Sequence, residues 1–386
     1  METKYIRFGE LYAIPSSNGV SRPSSVRGKG FRMINMGELF AYDIINDMDM
    51  ELVELSTREQ EKYFVRKGDL LFARQSLVAS GVGKCSIVNN ISQNTTFESH
   101  LIRVRLDIAK SNPWYYYYLF KLPSNPIKSI VNQCAQAGIR GTELSKVKVP
   151  LPSLPLQRRI ASILSAYDNL IEANSRRIKI LEQMAENLYK EWFVRFRFPN
   201  YQNTPIENGM PKGWKVEKLK KITKRLPFNR LYKASDLELE GDVIVIDQST
   251  SAYLGFHNNE PSHYANIDDP IIIFGDHSCK FQLMIQNFSL GENVIPFISN
   301  DFNTIDNYFF YYATHKLIET EEYKRHWGRL MAMKILIPSI NIQRAFSQIV
   351  KPIHSEIATL QTQSANLTRQ RDLLLPRLMS GQLPTQ

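Results

Sequence analysis

The sequence predicts a mixed α/β (α+β) protein made of two similar globular domains, each followed by one long helix. Three observations carry this. First, a boundary phrase is written twice, as LPSLPLQRRIASIL from Leu151 to Leu164 and as IPSINIQRAFSQIV from Ile337 to Val350. Pro152-Ser153 answers to Pro338-Ser339 and Gln157-Arg158 to Gln343-Arg344, at an offset of 186. Second, a heptad seam follows each copy. Third, an apolar strand-like run and an aromatic helix-like run precede each copy.

A chain of 386 residues is too long for one ordinary core. The expected division is a first domain over 1–150, a helix over 151–200, a second domain over 201–336 and a second helix over 337–386. In the first domain, KGDLLFARQS (Lys67 to Ser76) reads as a buried strand ending in a polar loop, and SNPWYYYYLF as a short aromatic helix with proline at its start. The first long helix places Ile160, Leu164, Tyr167, Ile171, Asn174, Ile178, Leu181, Ala185, Leu188 and Trp192 at gaps alternating between four and three. That is the a/d seam of a coiled coil. About 36 residues at 1.5 Å each make a helix about 54 Å long.

RFRFPNYQNTPIENGMPKGW then reads as a linker, being rich in Pro, Gly and Asn. In the second domain, DDPIIIFGDHS repeats the strand and DNYFFYYATH the aromatic helix. The second seam, at the same register, is Phe346, Val350, Ile353, Ile357, Leu360, Ser364, Leu367, Arg371, Leu374 and Leu378. Ser364 and Arg371 interrupt it with polar groups, as Asn174 does the first. So regular a seam needs a partner, and the nearest is the other copy. The echo reaches into the domains: Glu98 and Asp107 match Glu292 and Asp301, and Tyr117-Tyr118 match Tyr311-Tyr312, at an offset of 194. IRFGELYAI resembles WKVEKLKKI at an offset of 208. Whole-domain duplication with loop insertions explains the drifting offset; a solenoid would repeat every few tens of residues.

Composition narrows the function. Hydrophobic content of 43% and aromatic content of 11% support packed cores. No apolar run is long enough to span a bilayer, and METKYIRFGEL lacks a signal-peptide core, so a soluble cytoplasmic protein is expected. Cys85, Cys134 and Cys279 make neither a disulfide framework nor a zinc pattern and read as small buried hydrophobes. The net charge of +10 points to a polyanion. Residues 205–339 are mildly acidic, yet nine of their basic residues crowd between Lys212 and Lys233, so nucleic-acid binding there needs a local patch.

Fragments that imitate catalytic motifs fail on inspection. Asn112-Pro113-Trp114 lacks the second proline of the adenine-methyltransferase motif, and no glycine-rich cofactor loop lies upstream. Ser80-Gly81-Val82-Gly83-Lys84-Cys85 carries cysteine where a phosphate-binding loop needs Ser or Thr. Asp276-His277 with Cys279 has no second pair at ligand spacing, and the remaining histidines stand apart. No catalysis, metal or cofactor is expected.

Two domains, each followed by a proline boundary, a Gln-Arg pair and a heptad helix, resemble the specificity subunit of type I restriction-modification enzymes. The first helix ending in LYKEWFVRF, the terminal LLLPRLMSGQL and the phrases GDLLFARQ and IIIFGDHSC carry the same resemblance. It implies a non-catalytic subunit with two target recognition domains held apart by an antiparallel coiled-coil pair of helices, in a pseudo-two-fold arrangement. Each domain would read one half of a bipartite duplex target. The implied partners are double-stranded DNA, two methyltransferase (modification) subunits and, in the full complex, restriction (translocase-nuclease) subunits; no membrane is implied. A spacer of about 54 Å covers roughly 1.5 turns of B-DNA.

Base edges are read by polar and basic side chains, while phosphate contacts supply position. In the first domain the candidates are Arg27 and Lys29 in the SRPSSVRGKG loop, then Arg74, Gln75 and Ser76, Lys84, and Arg140. In the second they are Gln248, Ser249 and Thr250, His277 and Lys280, and Arg325 and Arg329, with Lys220, Lys221, Lys224 and Arg225 for phosphates. Arg to guanine and Gln to adenine are the pairings that fit best in the major groove. The competing expectation is an assembly scaffold or decoy that holds methyltransferase subunits without reading DNA. A decoy that imitates DNA should be strongly acidic, and this chain is basic.

Overall fold

The computed structural model describes residues 4–76, 81–131, 138–228, 230–249, 253–321 and 324–382. Ser80, Cys134 and Thr250 lie outside the described residues. The chain forms two compact units, Met1–Glu172 with Ala365–Gln386 and Ala173–Ser364. Four helices organise them: α1 (Pro113–Lys121), α2 (Leu154–Tyr189), α3 (Asn307–Thr314) and α4 (Ile340–Met379). Each unit therefore owns part of both long helices, α2 and α4.

The duplication extends to strand topology, the first unit's main sheet adding one edge strand, Ile44–Asn46. In the first unit, β1 (Leu70–Ala73) lies between β2 (Cys85–Asn90) and β3 (Leu101–Leu106), antiparallel to both. In the second, β4 (Ile271–Gly275) lies between β5 (Phe281–Met284) and β6 (Val294–Ser299) in the same sense. Ala73 pairs with Leu101 as Gly275 pairs with Val294. A second, three-stranded sheet accompanies each. Arg27–Ile34 runs antiparallel to Glu51–Val53 and parallel to Thr95–Phe97, and Val243–Ile246 runs antiparallel to Gly255–His257 and parallel to Phe288–Leu290. A two-stranded pair joins each unit's start to its boundary, Tyr5–Arg7 with Lys148–Pro150 and Lys215–Lys218 with Lys334–Ile337.

All four residues of β1 and all five of β4 are buried, which is why they read as unbroken apolar runs. Asn112 caps α1 through its side chain, which accepts the Tyr115 N–H, and Pro113 occupies the first turn. Asp306 caps α3 by accepting from Tyr308 and Phe309. Both aromatic helices are buried along most of their length, filling the space between sheet and long helices.

The doubled boundary phrase acquires a physical role here. Gln157 and Gln343 are completely buried. Gln157 accepts the Asn112 N–H at 2.8 Å and donates to the Pro152 carbonyl at 2.9 Å. Gln343 accepts the Asp306 N–H at 2.9 Å and donates to the carbonyls of Pro338 at 2.8 Å and Thr304 at 3.0 Å. One amide thus ties the start of each long helix to the start of the aromatic helix before it.

The seams are filled within each unit. In the first, Ile160, Ala161 and Leu164 share a core with Leu375 and Leu378, with Leu374 packed against it. In the second, Ala185, Trp192, Phe346 and Val350 share a core, with Leu188 and Ile353 against it. Within each unit the α2 number rises as its α4 neighbour's falls, so the segments run antiparallel. Of the other seam positions, Ile357 and Leu360 are buried and Tyr167, Ile171, Ile178, Leu181 and Leu367 half-buried. The polar interruptions have partners: Asn174 donates to Ser364 at 3.2 Å, and Arg371 donates to the buried Asp168 at 2.5 Å. Tyr118 Oη donates to the other oxygen of Asp168, also at 2.5 Å.

Three local expectations change. The segment read as a linker is folded into the second unit. Phe198 and Trp214 are buried, their rings 5.2 Å apart, and Ile206–Glu207 and Met210–Pro211 form a small hairpin. Its Pro, Gly and Asn residues shape turns, while its aromatic residues supply the packing. The SRPSSVRGKG loop becomes, from Arg27, the bulged start of a strand, because Gly28 and Gly30 take φ of +112° and +99°. Cys85 is buried as expected, but Cys279 is only half-buried, in a turn at φ +53°. Among the described residues no helix is long and apolar enough to cross a membrane.

Candidate nucleic-acid interface

In the first unit, three segments converge where β1 ends. Arg74 N–H donates to the His100 carbonyl and Ile139 N–H to the Arg74 carbonyl, both at 2.8 Å. Gln75 makes an antiparallel bridge with Gly138. Arg74, Gln75 and Ser76 are thereby held half-exposed beside Arg140, which is exposed. Ser76 leaves no room for a side chain at Gly81, since a Cβ there would stand 2.4 Å from its Oγ. Lys84 is turned to structural use: its Nζ donates to the Phe40 carbonyl at 2.6 Å and lies 3.4 Å from Asp43, which also pairs with Lys121 at 2.5 Å. Against a burial that would raise it, the two lysines hold the Asp43 carboxyl below the usual range.

The second unit repeats the arrangement with different side chains. After β4, Asp276 N–H donates to the Asn293 carbonyl at 2.9 Å, in the position of Arg74. The Asp276 carboxylate accepts the N–H groups of His326 (3.0 Å) and Trp327 (2.8 Å), with Arg325 Nε 3.9 Å away. Gln248 accepts the His277 N–H at 3.2 Å, Lys280 Nζ reaches the Asp247 carbonyl at 3.5 Å, and Ser249 donates to the Asp247 side chain at 2.6 Å. Burial pulls the Lys280 ammonium below its ordinary value. Arg329 donates to the Glu319 carbonyl and pairs with Glu321 at 2.7 Å, while Thr320 donates to the Ser278 carbonyl, closing the group. Gln248, Ser249, His277, Lys280, Arg325 and Arg329 are thus brought together by loops far apart in sequence.

The remaining candidates stand on other elements. Arg27 is committed to Glu51 at 2.7 Å and to the Arg22 carbonyl, and Lys29 is exposed on the second sheet of its unit. Lys220 and Lys221 lie on the short helix Leu219–Ile222, and Lys224 and Arg225 on the edge strand Thr223–Arg225; all four are exposed. Lys221 is 3.7 Å from Glu217. Among the described residues no three His, Cys, Asp or Glu side chains are placed to hold a metal ion.

Residues 12–183 match the model of the type I restriction modification DNA specificity domain. The MjaIX type I restriction enzyme specificity subunit of Methanocaldococcus jannaschii is 26% identical over 377 residues, covering 89% of this chain and 84% of its own. The chain is similar to type I restriction-modification specificity subunits along most of its length. A second relative from the same organism, described as a putative MjaX specificity subunit, is 25% identical and covers 88% of this chain and 86% of its own, reaching into both units. This chain's fold is shared with the S subunit from M. genitalium, at a TM-score of 0.60 and 16% identity over 98% and 96% of the two chains.

Side chains absent from the sequence-based selection organise both groups: Asp43 and His100 in the first unit, Asp247 and Asp276 in the second. In sequence Asp276 resembles part of a metal or nucleophile motif, whereas its work is to cap the turn at His326-Trp327. The available signal was its place one residue after an all-apolar strand, matching Arg74.

Six of the seven histidines lie in the second unit. His354 sits on α4 against Tyr311 and Tyr312, with Nε2 2.8 Å from the Tyr312 hydroxyl, and lines a cavity of about 470 Å³ with Glu182, Glu186, His315 and Lys316. Burial pushes it down from 6.5 to about 4, and His257, His263 and His315 are lowered by burial as well. A histidine depressed in the fold binds its proton more readily unfolded. Its contribution is therefore whole above pH 6.5 and is lost as pH falls toward 4. Urea unfolding should show stability flat above pH 7 and falling by about 2 kcal/mol between pH 6.5 and 5 from His354 alone. H354Q should flatten that slope; an unchanged slope would remove His354 as its source.

Proposed function

We propose that each unit reads one half of a bipartite duplex DNA target and that α2 and α4 together set the distance between the half-sites and dock the methyltransferase subunits. One observation carries this reading: both units have the same central strand between the same two antiparallel neighbours, the same Gln-tied junction and a polar group at the end of that strand, differing in the side chains presented there. A shared frame with interchangeable polar tips suits two reading heads with different sequence preferences.

In the first unit Arg74, Gln75, Ser76 and Arg140 face bases; in the second Gln248, Ser249, His277, Lys280, Arg325 and Arg329 do. Lys29, Lys220, Lys221, Lys224 and Arg225 serve phosphates, and Arg27 and Lys84 shape the loops. The chain itself is non-catalytic and works in the cytoplasm, with modification subunits and, in the full assembly, restriction subunits supplying the chemistry.

The test is to insert one heptad into α2 between Ile171 and Ile178 and one into α4 between Leu360 and Leu367, which preserves both seams. Seven residues add about 10.5 Å, close to three base pairs at about 3.4 Å each. Mapping methylated sites in cells expressing the variant with its modification subunit should show the same half-sites separated by about three more base pairs. Unchanged spacing sinks the spacer role.

A further inference from the structure

We infer that Gln75 and His100 act as one reading unit, in which His100 is a positioning residue that holds the Gln75 carboxamide for the major-groove edge of an adenine in the first unit's half-site. The inference rests on the DNA-reading role proposed above and names the base class and the residue that aims the reader.

The geometry is specific. Gln75 Nε2 lies 2.7 Å from His100 Nδ1. An amide nitrogen donates, so the neutral ring accepts at Nδ1 and carries its proton on Nε2. The two backbones are also fixed to each other, because the His100 carbonyl accepts the Arg74 N–H at 2.8 Å and Gln75 bridges to Gly138. An unrestrained glutamine would lose rotamer freedom on meeting DNA; the tether removes part of that cost beforehand.

The hydrogen-bond inventory then selects the base. Of the carboxamide's two N–H groups, one goes to His100. Its Oε1 and second N–H remain, one acceptor and one donor. Adenine presents the complement, an N6–H donor beside the N7 acceptor, whereas guanine presents two acceptors. The second unit carries different side chains at the equivalent place. His277 stands there, and the nearby Gln248 spends its oxygen on the His277 N–H.

The test uses the full chain assembled with its modification subunit. Methylated sites are mapped for the wild type. Methylation rates are then measured on duplexes carrying each single base change in the first unit's half-site, and on duplexes with 7-deazaadenine at each adenine. Q75A and H100F should both relax discrimination at the same adenine, by roughly ten- to hundred-fold, and the double variant should be no worse than Q75A. H100N, whose Oδ1 can replace the accepting nitrogen, should restore it. The 7-deaza substitution at that adenine should slow the wild type and leave Q75A unaffected. Variants that discriminate at every position like the wild type, or that lose discrimination at two different positions, overturn the inference. So does uniform slowing with specificity intact, which would make the pair structural. A wild-type complex that modifies no defined sequence overturns the underlying reading as well.

Discussion

Replacing Arg371 with leucine is expected to lower the unfolding free energy by about 3 kcal/mol, whereas replacing Arg371, Asp168 and Tyr118 together with Leu, Leu and Phe should restore most of it. Asp168 is 6% exposed, and its two oxygens take hydrogen bonds from Arg371 and from the Tyr118 hydroxyl. Removing only the guanidinium leaves a carboxylate in an apolar core with one neutral donor. The cost is chiefly that of a buried charge left uncompensated. Removing all three polar groups lets the seam close on apolar side chains and leaves no buried group unpaired, since Asp372, the other partner of Arg371, is exposed to water.

This layer sits on the α2–α4 seam within the first unit, and the Asn174–Ser364 bond forms a second layer within the second. Buried polar pairs in a coiled coil disfavour shifted registers, in which their groups would face apolar partners. The triple variant should therefore be nearly as stable as the wild type and yet less strict in register. Urea unfolding measures the stability, and cysteine cross-linking across the seam measures the register. A triple variant as unstable as Arg371→Leu would show that the cost arises from packing and not from the isolated charge.

The second large effect is expected at the junction glutamines. Q157A and Q343A should each cost about 2–3 kcal/mol, with Q343A the more damaging. Each amide is fully buried and serves backbone groups in half-buried contacts, the Pro338 carbonyl in a fully buried one. Truncation strands the Asn112 N–H and the Pro152 carbonyl in one case, and the Asp306 N–H with the Pro338 and Thr304 carbonyls in the other. Gln343 leaves three groups unpaired where Gln157 leaves two. Substitution by Glu should be no remedy, because a second oxygen would face carbonyls in place of a donor. Equal losses for the two alanine variants, or losses below about 0.5 kcal/mol, would contradict this account.

Both effects bear on how much was legible beforehand. The long helices were readable because their seam is a local pattern: a residue at every third or fourth position must face the same way. The aromatic helices were readable from Pro113 and the cap residues Asn112 and Asp306, and the central strands from unbroken apolar runs. The duplication was legible because equal phrases recur at nearly constant offsets, and it carries the resemblance to specificity subunits. The boundary phrase itself was visible as punctuation, but nothing in it marks its glutamine as buried. Nothing near Gln157 in sequence says that its partner is Asn112, 45 residues earlier.

The candidate interface divides the same way. Arg74, Gln75, Ser76 and His277 could be selected because they follow an apolar strand, and the loops that end such strands carry polar tips. Their organisers could not. His100, Asp276 and Asp43 take their roles from neighbours between 25 and 78 positions away along the chain. Lys84 and Arg27 stand among the DNA-contact candidates in sequence, but ion pairs with Asp43 and Glu51 engage their charges.

By itself, then, the sequence determined the class of each local element, the duplication and the seam register, since all three are written in short-range spacing or literal repetition. Only the tertiary structure decided which polar residue meets which: Asp168 with Arg371, Gln343 with Asp306, Gln75 with His100. The physical reason is that burial removes water as a partner and forces each polar group to find one wherever the fold brings it.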